Sequence, residues 1–82
     1  MKPEIIKRQF EDILIVELDV SRRDIEEQVS LAYLGATSLD ILAVITRVED
    51  KFGIEISDCE KASLRTVKDY LDLINKKTAD RV

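Results

Sequence analysis

Three stretches of this chain repeat apolar residues at the spacing of one helix face, and little in it alternates as a half-buried strand would. Ile6, Phe10, Ile13 and Leu14 fall at i, i+4, i+7 and i+8. Ile41, Ile45, Val48 and Phe52 repeat at i, i+4, i+7 and i+11, with Leu42 widening the stripe. Val67, Tyr70, Leu71 and Ile74 form the third. Pro3 suits the first turn of a helix over 3–17, because its missing N–H has no intrahelical partner there. The second helix begins at Ser38 and ends at Gly53, a residue tolerant of positive φ. Ser57-x-x-Glu60 and Thr66-x-x-Asp69 have the form of capping boxes. They predict a short third helix over 58–63 and the start of the last one.

Residues 19–37 break the rhythm and read as a long, mostly irregular connection, with Ser21-x-x-Asp24 capping a short turn. Val29, Leu31 and Leu34 are expected to pin it to the core. The expected fold is all-α: a small four-helix bundle of three main helices plus a short third helix, with a long first loop. The inward set is Ile13, Leu14, Ile41, Ile45, Val48, Phe52, Ile56, Leu64, Tyr70, Leu71 and Ile74. Eighty-two residues hold one domain. It is placed at 1–77, with 78–82 as a frayed polar tail.

Composition removes most chemistry. With no histidine and one cysteine, neither the usual zinc sites nor Ser-His-Asp and Cys-His pairs can be assembled, so no metal and no catalytic residues are expected. A net charge of −4 repels a phosphate backbone, which argues against nucleic acid. No eighteen-residue apolar run is present, so no membrane span is expected. A lone Cys59 forms no internal disulfide, which fits a reducing, cytoplasmic setting.

One residue stands out. Ser38 follows Gly35-Ala36-Thr37 and opens the second helix, which puts a hydroxyl at the positive end of the helix dipole. Spacing alone favours the common reading, that Ser38 is simply the N-cap, and does not separate it from a second, that its hydroxyl bears a phosphate ester held by the helix N-terminus.

The run Leu34-Gly35-Ala36-Thr37-Ser38-Leu39-Asp40 resembles the attachment motif of acyl carrier proteins, usually Leu-Gly-x-Asp-Ser-Leu. Val48-Glu49-Asp50-Lys51-Phe52, Ile54-Glu55-Ile56 and Asp58 resemble the end of that family's second helix and its following loop. Thr66-Val67 through Tyr70, Leu71 and Ile74 resembles its last helix, so the likeness covers about residues 30 to 75. The resemblance implies a monomeric, non-catalytic carrier. A phosphopantetheinyl transferase would use coenzyme A to attach a 4′-phosphopantetheine arm to Ser38. Acyl intermediates would ride on the arm's thiol between partner enzymes, and Cys59 would not be that thiol. Leu39, Asp40, Glu49 and Asp50 would then face partners with basic docking surfaces.

Departures from the pattern shape the expectation. Threonine stands at 37 in place of the usual aspartate, Ala43 replaces an acid, and Thr46 replaces a larger apolar residue. Arg47 and Lys51 offset most of the charge of Asp40, Glu49 and Asp50. Together these suggest a specialised fatty-acid or polyketide-type pathway. The alternatives are an aminoacyl or peptidyl carrier and, more remotely, an unmodified helical interaction module.

Overall fold

The computed structural model describes residues 1–79. Four helices follow in order: α1 (Pro3–Leu18), α2 (Ser38–Phe52), α3 (Asp58–Ser63) and α4 (Val67–Ala79). A 3-10 turn, Arg22–Asp24, interrupts the loop between α1 and α2. No strand occurs among the described residues, only one isolated antiparallel bridge between Ser30 and Thr66. The expected all-α bundle is what forms.

Helix α1 is the hub. Ile6, Phe10, Ile13 and Leu14 are buried, and the helix packs on both α2 and α4. Phe10 stacks on Tyr70 of α4 with ring centroids 5.2 Å apart, an aromatic pair worth about 0.5–1.5 kcal/mol beyond its buried area. Asp19 closes α1 in the left-handed region at φ 55°, its N–H donating to Ile15 O. Aspartate is among the few non-glycine residues that tolerate that conformation.

Helix α2 buries Val44, Ile45, Val48 and Phe52 and ends at Gly53, φ 64°. Two expectations shift here. Leu42 is exposed rather than widening the stripe, and Ile41 is only half-buried. Val44 and Leu42 flank the stripe on opposite sides, and the bundle covers the Val44 flank alone. Ile25 and Ile54 complete the core beside the expected residues, while Leu64 packs half-buried against it.

The long loop is fastened at both ends. Arg22 reaches back to α1, donating to Glu11 Oε1 at 2.7 Å and to Asp12. This pairing accounts for a carboxylate, Glu11, on the buried side of α1. Farther on, Val67 N–H donates to Val29 O at 2.9 Å and Lys68 N–H to Glu27 O at 2.9 Å, while Leu31 N–H donates to Arg65 O at 3.1 Å. Loop carbonyls thus satisfy N–H groups of the first turn of α4 that have no partner within the helix. Ile25 and Leu31 anchor the loop in the core, whereas Val29 and Leu34 are half-buried. The Ser21 side chain makes no cap bond; the turn closes instead through Asp24 N–H to Ser21 O.

Both later capping boxes form. Ser57 Oγ accepts from Glu60 N–H and the Glu60 carboxylate accepts from Ser57 N–H. Thr66 and Asp69 exchange the same pair of bonds at the start of α4. Helix α4 runs two residues past the expected start of the tail. Thr78 lies within the helix, and its Oγ1 donates to Ile74 O. Residues 80–82 of that tail lie outside the described residues.

Candidate attachment site at the start of α2

The approach to Ser38 is a series of tight turns. Tyr33 N–H donates to Ser30 Oγ, Leu34 N–H and Ala36 N–H both donate to Leu31 O, and Gly35 N–H donates to Ala32 O. Gly35 takes φ 95°, a conformation side chains disfavour, although the space around it is open. Glycine is needed here for its backbone and not for its small size.

Thr37 follows with extended geometry, φ −84° and ψ 174°, and it is Thr37 rather than Ser38 that caps the helix. Its hydroxyl accepts from Asp40 N–H at 3.2 Å, and the Asp40 carboxylate accepts from Thr37 N–H at 2.9 Å. The cap reading of Ser38 is thereby corrected, for a physical reason. The N-cap must have non-helical backbone, and Ser38 is already the first helical residue. Thr37-x-x-Asp40 has the same form as the two capping signatures noted downstream, and that signal could have found it.

Ser38 is therefore exposed with a hydroxyl that makes no hydrogen bond among the described residues. Beside it the Ser38 and Leu39 backbone N–H groups open a 15-residue helix and have no intrahelical acceptors. An anion on Ser38 would meet unpaired N–H groups and the positive end of the dipole, so these residues fit a phosphate ester.

The other site residues separate into two groups. Leu39, 78% exposed, and Asp40 stand beside Ser38, but the Asp40 carboxylate is committed to the cap. Glu49 and Asp50 lie about three turns away along α2. The Glu49 carboxylate accepts from Ile56 N–H at 2.9 Å and so braces the loop before α3. Asp50 is exposed at a groove between α1 and α2 that Arg47 and Lys51 also line. Arg47 donates to Glu17 Oε1 at 2.5 Å, tying the two helices together. Cys59 is exposed on α3.

Comparison with known proteins decides the family. The family described as phosphopantetheine attachment site matches residues 8–74. An acyl carrier protein of Thermosynechococcus vestitus is 38% identical over 80 residues, covering 96% of this chain and 99% of its own. The chain belongs to the acyl carrier protein family. An acyl carrier protein of Buchnera aphidicola is 37% identical over 73 residues, 88% of this chain and 91% of that one. The crystal structure of an acyl carrier protein from Thermotoga maritima superposes with a TM-score of 0.82 at 26% identity, covering 98% of this chain and 94% of that one. The cofactor of this acyl carrier protein family is covalently bound 4′-phosphopantetheine. No helix among the described residues is long and apolar enough to cross a membrane.

Proposed function

We propose that Ser38 is the attachment residue and that the chain acts as a carrier and not as a catalyst. The observation that carries this is the free, exposed Ser38 hydroxyl on the first turn of α2, released from capping by Thr37 and Asp40. In the loading step, Ser38 Oγ bonds to the pantetheine-bearing phosphorus of coenzyme A. The phosphoanhydride bond to the nucleotide breaks, and the hydroxyl proton passes to the transferase. Once bound, the arm supplies a thiol on which acyl groups travel as thioesters.

This chain's own residues hold and present the site. Thr37 and Asp40 fix the helix start, the Leu31–Ala36 turns fix the approach, and the Ser38 and Leu39 N–H groups stabilise the ester's negative charge. The chain through α4 acts as one carrier domain, working in the cytoplasm with partners that include a phosphopantetheinyl transferase and acyl-processing enzymes. A specialised fatty-acid or polyketide-type pathway is supported by the face of α2. There Asp40 and Glu49 are spent on internal bonds, and Arg47 and Lys51 offset the acids.

The test is incubation of wild type and Ser38→Ala with coenzyme A and a broad-specificity phosphopantetheinyl transferase, followed by peptide mass mapping. One arm on Ser38 of wild type and none on the variant is the expected result. An unmodified wild type, or an arm elsewhere, would refute it.

A further inference from the structure

Tyr33 is the most exposed of the large hydrophobic residues among the described residues, at 82%. Its ring stays outside the core, yet its backbone is held firmly. Tyr33 N–H donates to Ser30 Oγ, Ser30 bridges to Thr66, and neighbouring Leu31 is fully buried. A rigidly mounted, solvent-facing aromatic five residues before Ser38 is a large apolar surface left uncovered. Its ring borders a cleft of about 440 Å³ where Val20, Val29 and Leu34 meet the charged Arg23, Asp24 and Glu26. On the other side of Ser38, α2 exposes Leu39 and Leu42.

Resting on the assignment of Ser38, we infer that Tyr33 is the docking anchor for the transferase that loads it, its ring entering an apolar pocket on that enzyme. The occupant follows from reach. A transferase must centre its contact on Ser38, and a stable interface covers about 800 Å² per partner, a disc of roughly 16 Å radius. Five residues span at most about 18 Å when fully extended, and the turns at Leu34, Gly35 and Ala36 shorten that path. Tyr33 therefore falls under the footprint. Interface cores favour tyrosine and are depleted of charge. With two side-chain torsions on a fixed loop, Tyr33 loses little entropy on docking. The Asp40 carboxylate beside Ser38 is engaged in the helix cap, and the uncovered apolar surface around the serine is Tyr33, Leu39 and Leu42.

The experiment measures loading of wild type, Tyr33→Ala and Tyr33→Phe by a broad-specificity phosphopantetheinyl transferase with coenzyme A, at low and high salt. Tyr33→Ala is expected to raise KM for the carrier about tenfold with kcat within about twofold, equally at both salt concentrations. Tyr33→Phe is expected to match wild type. Helical circular dichroism checks that both variants fold. If wild type loads and Tyr33→Ala keeps its KM, the anchor is refuted while Ser38 stands. A loss shared by Tyr33→Phe would assign the contact to the hydroxyl and refute the apolar pocket. Failure of wild type to load would overturn both.

Discussion

Thr37 and Asp40 exchange side chain for backbone: the Thr37 hydroxyl accepts from Asp40 N–H, and the Asp40 carboxylate accepts from Thr37 N–H. The two residues between them, Ser38 and Leu39, are left free of structural duty at the end of the helix. A motif that must both start a helix and present a reactive hydroxyl needs this division of labour. One serine cannot cap through its oxygen and also offer that oxygen to a partner.

The division predicts unequal stability costs. Thr37→Ala removes a cap hydroxyl and should cost about 0.5–2 kcal/mol. Ser38→Ala removes an exposed hydroxyl without a partner at a helical position and should stay within about 0.5 kcal/mol of wild type. Urea unfolding of the two variants measures the difference. Equal losses would return the cap to Ser38.

Glu49 is predicted to matter for folding more than for docking. Its carboxylate is the acceptor for Ile56 N–H, between the end of α2 and the buried Ile54 and Ile56. Glu49→Ala strands that partly buried donor and should cost about 1–3 kcal/mol. Asp50→Ala, one residue on and exposed, should lie within about 0.5 kcal/mol of wild type. Thermal melts that move equally would show Glu49 to be solvated surface.

The third prediction concerns alkaline pH. Burial, with Asp69 nearby, pushes the Tyr70 phenol up to about 12 from its ordinary 10. Because the folded value is raised, the stability it contributes is fully present below pH 10 and is lost as pH rises toward about 12. Over that window the slope should approach about 1.4 kcal/mol per pH unit. Tyr70→Phe keeps the stack on Phe10 and should remove this component, leaving lysine titration behind. Urea unfolding across the window checks it: parallel pH profiles for wild type and variant would contradict the burial argument.

The contrast between helices and loop shows what local sequence carries. Apolar period and capping signatures place α1, α2 and α3 to within a residue, since each depends on residues three or four apart. The failures have nonlocal causes. Leu42 and Val44 flank the same stripe, and only the position of the neighbouring helices decides which is covered. Glu49 reads as one acid in an acidic run until Ile56 N–H is brought to it by the turn at Gly53. Tyr33 sits where no period operates, so its exposure depends on how the loop is sewn to α4. The cap at Thr37 has a local cause, because Thr37-x-x-Asp40 has the same form as the two capping signatures downstream.

The most direct test of the carrier account is the intact mass of the protein purified from the cells that make it, with fragmentation to locate any added group. The account predicts a gain of one 4′-phosphopantetheine arm on Ser38, with or without an acyl group, the acyl part released by hydroxylamine as a thioester requires. A population carrying only the mass of the unmodified chain, or an arm on any other residue, would contradict it.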